Sequence, residues 1–103
     1  MNTRKPNRRR HPRVTLPDHY HLRCASDRFR GRIRVLGEGG MFIDTIHPPP
    51  DGTEVDVIIE AGDTIHVRCI SRDHESGWGV GVEFLQVAPD DRDRLRDLIS
   101  RFV

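Results

Sequence analysis

Arginine dominates the start of this chain. Residues 1 to 17 hold Arg4, Lys5, Arg8, Arg9, Arg10 and Arg13 and no carboxylate; the first acid is Asp18. A guanidinium is planar, always charged and carries a fork of donors, so arginines set this densely suit an anionic partner. Nucleotide, nucleic acid, lipid head group and acidic protein all qualify, and a solvated basic tail is the plain alternative. The chain as a whole carries a net charge of only +1, so the basic excess is local. A second cluster, Gly37-Glu38-Gly39-Gly40, is rich in glycine. It lacks the lysine and following helix of a phosphate loop, and reads instead as a tight strand connection or bulge.

Other chemistry finds less support. His19 and His21 fall on one strand face, but no spacing places a third and fourth ligand beside them, so the six histidines read as surface side chains and no metal is expected. Cys24 and Cys69 form no CxxC pair and read as reduced, half-buried thiols. The sequence has no nucleophile elbow, phosphate loop or HExxH motif, which argues against an enzyme. Apolar residues make up 35% and charged residues 32% of the 103, a folded and not a disordered balance. No apolar run approaches the roughly 20 residues that span a bilayer. The basic start has no apolar segment behind it, so no signal peptide and a cytoplasmic location are expected.

The elements that would position these residues are mostly strands. Residues 1–12, with Pro6 and Pro12, read as a flexible basic arm, and 13–103 as one domain. Tyr20, Leu22 and Cys24 alternate with His19, His21 and Arg23, a half-buried strand. Arg30, Arg32 and Arg34 alternate with Gly31, Ile33 and Val35, a second. Met41-Phe42-Ile43 follows the glycines as a short apolar strand. The HPPPDG segment from His47 to Gly52 excludes a central ladder and signals a turn. Thr53 to Glu60, with Val55, Val57 and Ile59 on one face, pairs with Ile65, Val67 and Cys69 through a turn at Gly62. Ser71 to Gly77 reads as a polar connection. Trp78, Val80, Val82 and Phe84 share a face of the last strand, and Trp78 reads as core or as one wall of a ligand face. Leu95, Leu98, Ile99 and Phe102 then make the stripe of a closing helix over 89–102. Pro89, Asp90 and Asp91 suit its start, Arg101 its end, and Asp90–Arg94 and Asp97–Arg101 are expected i,i+4 pairs. The pattern predicts an all-β barrel with one C-terminal helix.

In order and spacing these pieces resemble the PilZ domain family. Arg9-Arg10-His11-Pro12-Arg13 matches its RxxxR motif. Val35 to Ile43 stands where the family carries [D/N]xSxxG and an apolar strand. Gly77 to Phe84 and the helix start at Pro89 resemble its closing strand and helix, so the likeness runs from residue 8 to residue 102. The resemblance implies a six-stranded barrel with a terminal helix, and cyclic di-GMP as ligand. Arg9 and Arg13 would clamp it with help from Arg10, since arginine suits phosphate oxygens and the O6/N7 edge of guanine. Positions Val35, Gly37 and Gly40 would form the floor. The resemblance also implies a protein partner, in motility, polysaccharide or secretion machinery.

This sequence departs from the pattern at two positions. Val35 replaces the acid or amide and Gly37 the serine; only Gly40 fits. Two lost polar partners at roughly 1–3 kcal/mol each would weaken binding by about 30-fold to 10,000-fold. Glu38 reads as a solvated loop carboxylate, with a substitute acceptor as the alternative. Two functions follow: a receptor and adaptor for cyclic di-GMP, or a PilZ-like interaction module that has lost the ligand. Nucleic acid is not expected, because the chain offers few aromatics for base stacking. No cofactor and no membrane insertion are expected.

Overall fold

Short runs in which every second residue is apolar can bury one face only by curling round a shared interior. The computed structural model describes residues 13–17, 23–75 and 79–103, and there the strands do this. In chain order they are β1 (Arg13–Thr15), β2 (Arg23–Ala25), β3 (Arg30–Gly37), β4 (Gly40–Asp44), β5 (Glu54–Ala61), β6 (Asp63–Glu75) and β7 (Gly79–Gln86), followed by helix α1 (Pro89–Ser100). All pairings are antiparallel. The ring runs β3-β2-β5-β6-β7-β4 and closes through β3 and β4. β1 and β2 both pair with β3, β1 against Val35–Gly37 and β2 against Arg30–Arg32, so together they fill one place in a six-stranded barrel.

Ile33, Leu36, Ile43, Ile59 and Leu95 are fully buried in one cluster that joins every barrel strand to α1. Each such side chain contributes about 1.5–3 kcal/mol by leaving water. The helix offers Leu95, Leu98 and Ile99 to this core, with Phe102 partly buried behind them. Gly62 makes the expected β5–β6 turn at φ 88°. The proline-rich segment also turns as expected, with Gly52 at φ 80°.

Several local expectations need correction. β1 was not marked by the alternation, because three residues are too few to show a period. β6 continues to Glu75, where a polar connection is expected from Ser71. Ser71 is fully buried, and its hydroxyl bonds the carbonyl of Pro50 while accepting the amide of Thr53 at 3.1 Å, so a polar residue serves an inward position. Cys24 and Cys69 are buried and not half-buried, at 1% and 0% exposure, and both are free. Burial pushes both thiols up to about 12. On α1, Arg94 pairs with Asp91 at 3.1 Å in place of Asp90. The Asp97–Arg101 pair is absent among the described residues, since the helix ends at Ser100 and Arg101 caps it. The expected arm 1–12, His19, His21 and Trp78 lie outside the described residues.

β3 carries the largest surprise. Its register with β4 shifts between Ile33 and Val35, leaving Arg34 as a bulged extra residue. Ile33 and Leu36, three apart, therefore both point inward. Simple alternation puts Val35 on the face of Ile33; the bulge turns it outward beside Phe42. The bulged Arg34 grips Asp44 with two bonds of 2.9 Å, from Nε and Nη2.

Candidate functional site

β1 sets Arg13 directly opposite Gly37, and Thr15 opposite Val35. The last arginine of the basic run and the glycine-rich segment, 24 positions apart in sequence, thus meet through three ladder pairs. Arg13 is exposed on this face. The loop after Gly37 is fixed from the far side, where the amide of Phe84 donates to the carbonyl of Gly39 at 2.8 Å. Gly40 lies opposite Glu83, and a Cβ there would collide with the carbonyl oxygen of Val82. Glycine is therefore needed for close approach of two strands.

The outer wall between β4 and β7 is almost bare backbone. Gly79 and Gly81 replace side chains, and the ring of Phe42 lies over Gly79 so closely that a Cβ would meet its carbons at 2.6 and 2.7 Å. Arg13, Gly39, Gly40, Phe42, Gly81, Arg72 and Glu83 border an open recess of about 280 Å³ on this wall. Arg72 is the extra residue of a second bulge, in β6, and its Nε donates to Glu83 at 3.0 Å. A flat wall with the ring of Phe42 on it, flanked by guanidinium forks and a carboxylate, can hold a planar polar molecule that carries negative charge.

Of the expected site residues, Arg13 and Gly40 border this recess. Val35 and Gly37 lie next to it through the β1–β3 register without lining it. Arg9 and Arg10 lie outside the described residues. Glu38 turns away: the guanidinium of Arg96 on α1 donates to it at 2.9 Å. That carboxylate in turn holds Arg96 above the ordinary arginine range. Sequence reasoning missed Arg72 and Glu83. The only signal for Glu83 was its alternation with Val82 and Phe84, and nothing marked the bulge that aims Arg72.

The described residues show a fold shared with several solved structures. One is the PilZ domain of YcgR from Escherichia coli with c-di-GMP, at TM-score 0.77 and 18% identity, covering 93% of this chain and 92% of that one. Another is the MrkH–c-di-GMP complex of K. pneumonia, at TM-score 0.77 and 17% identity over 92% of this chain. A third is the Bacillus subtilis inhibitor of motility MotI/DgrA, at TM-score 0.71 and 17% identity over 95% of this chain. The chain spans about half the length of the last two, 52% of each. No curated protein matches it by sequence. The PilZ domain model matches residues 7–101, and with that match and this barrel the chain belongs to the PilZ domain family, a family of non-catalytic signalling modules.

Proposed function

We propose that this chain is a PilZ-type receptor for cyclic di-GMP that relays the messenger's level to a protein partner in the cytoplasm. The register of Arg13 against Gly37, beside the bare wall under Phe42, supports this reading most directly. Two of the fold relatives, the YcgR domain and MrkH, are complexes with that nucleotide. In this reading Arg9 and Arg13 grip phosphate and guanine, with Arg10 assisting. Val35, Gly37 and Gly40 form the floor, and the wall of Phe42, Gly79 and Gly81 takes the plane of a base. Glu83 accepts from guanine N–H groups in place of the acid missing at position 35. Arg72 neutralises Glu83, so that it does not repel the phosphates. The partner belongs to motility, polysaccharide or secretion machinery.

One observation favours a second reading, a PilZ module that binds its partner without ligand. Val35 and Gly37 present no polar side chain next to Arg13. Calorimetric titration with cyclic di-GMP separates the two. Saturable binding that Arg13→Ala removes supports the receptor. A folded protein that shows no heat at high ligand excludes it. Repair by Val35→Asp with Gly37→Ser should then create binding if those two positions are the defect.

A further inference from the structure

Across the ring from the recess, β5 is longer than the strand that covers it. It pairs with β6 from Glu54 to Ala61, but with β2 only over Ile58–Glu60. After Ala25 the chain turns back from β2 into β3, and the turn is tied. The amide of Ser26 donates to the carbonyl of Phe29 at 2.9 Å, and the amides of Arg28 and Phe29 donate to the Ser26 hydroxyl at 3.0 and 3.2 Å. The first half of β5 therefore runs on past the tip of this hairpin. On its other side, the amide of Ser71 donates to the carbonyl of Thr53 at 3.0 Å, and β5 and β6 keep one register from there to the turn. Alternation then aims the N–H and C=O of Val55 and Val57 at β6, and those of Glu54 and Asp56 at the uncovered edge. These edge groups of Glu54 and Asp56 have no hydrogen-bond partner among the described residues. An open recess of about 360 Å³ lies here, bordered by Ser26 and Asp27 on the hairpin and by Glu54, Val55 and Asp56 on β5. The side chain of Val55 is buried, so the recess meets the backbone of the strand.

We propose that this edge takes an extended segment of a partner protein, added antiparallel to β5, with lysine or arginine at every second residue. Main-chain groups make the attachment, and the side chains beside them choose the partner. Opposite residues of a ladder share a face, so the segment sets side chains next to Glu54 and Asp56. Those two carboxylates share one guanidinium, that of Arg68, at 3.1 and 3.0 Å, and the Asp56 side chain stays 80% exposed. With His66 counted as neutral, Asp27, Glu54 and Asp56 outweigh Arg28 and Arg68 around the recess. Basic side chains meet this row favourably. The intervening residues of the segment fall on the side of buried Val55 and Val57, which suits apolar ones. A second copy of this chain is the wrong occupant. Pairing β5 with its own copy about Val55 sets Glu54 against Asp56 twice, and like charges directly opposite repel. The proposal takes from the proposed function only that the barrel has a protein partner, and its test uses no nucleotide.

The test is an NMR titration of the isotope-labelled full chain, without cyclic di-GMP, with the peptide acetyl-Lys-Val-Lys-Val-Lys-amide. The expected shifts fall on residues 26–28 and 54–57, and the amides of Glu54 and Asp56 exchange more slowly in the complex. The same peptide N-methylated at its lysines cannot donate to the ladder and should bind about tenfold more weakly. Asp56→Pro removes an outward N–H, spares the bonds of Val55 and Val57 to β6, and should weaken the complex by a similar factor. If that proline unfolds the chain, Glu54→Lys with Asp56→Lys decides the matter, because it should prefer acetyl-Glu-Val-Glu-Val-Glu-amide. Shifts centred elsewhere, no shifts at all, or equal binding of the N-methylated peptide would overturn the proposal. So would a dimer in sedimentation whose Glu54 and Asp56 amides are already protected, since the edge then belongs to a second copy.

Discussion

One added carbon at residue 40 would meet the carbonyl oxygen of Val82, which is backbone and cannot swing aside. Gly40→Ala should therefore destabilise the barrel by about 1–3 kcal/mol, and a urea melt measures it directly. Gly39, with open space around it, should accept the same change with little effect. The two buried thiols give a pH-dependent counterpart. Burial raises each from 9.0 to about 12, so between those values the folded chain keeps protons that the unfolded chain loses. Stability then falls as pH rises through that window. Cys24→Ala with Cys69→Ala should be less stable at neutral pH from lost packing, yet lose less stability than the parent on going to about pH 11. Denaturant melts at the two pH values decide this. At this scale the places of Arg13 and Gly40 beside the recess were legible, because a basic run and a glycine cluster stand out in the sequence. Arg72 and Glu83 were not, because an arginine and a glutamate on an exposed strand look like any solvated pair until a register places them beside a bare wall.

Ser71 shows how one residue can organise two elements. Its hydroxyl joins the middle of β6 to the turn at Pro50–Thr53, and its carbonyl accepts the amide of Gly52 at 2.8 Å. Ser71→Ala should cost about 1 kcal/mol and speed amide exchange at Thr53 more than in the β5–β6 hairpin, as hydrogen-exchange mass spectrometry or NMR would show. The expectation of a polar connection from Ser71 failed for the same reason. A run of polar residues normally marks a connection, but here the inward position is a serine whose polar atom is satisfied by the turn. The β5–β6 hairpin and α1 were readable because their apolar positions keep a clean period of two or of 3.6. β1 was not, since only its pairing with β3 makes three residues a strand.

As a whole the barrel presents different chemistry on opposite walls. β4 and β7 carry the recess, and β2 and β5 lie across the ring from them. Arg13 stands opposite the last residue of β3 and Arg30 is its first, so the stability effects of Arg13→Ala and Arg30→Glu should add to within about 0.5 kcal/mol in a double-mutant cycle. The fold class was open to the sequence because burial depends on alternation alone. The split between walls was not, because it depends on which strands become neighbours. Arg34 joins the two walls by a matter of parity. Upstream of it the outward residues of β3 are even-numbered, Arg30 and Arg32; downstream they are odd, Val35 and Gly37. The bulge works like a frameshift within a strand. Residue 34 is the extra member of the ladder, so deleting it would close the bulge into plain alternation with Val35 and Gly37 still outward and Leu36 inward, whereas one residue more or fewer at an unbulged position would turn them over. The count of residues on β3 is therefore forgiving at position 34 and strict on either side of it.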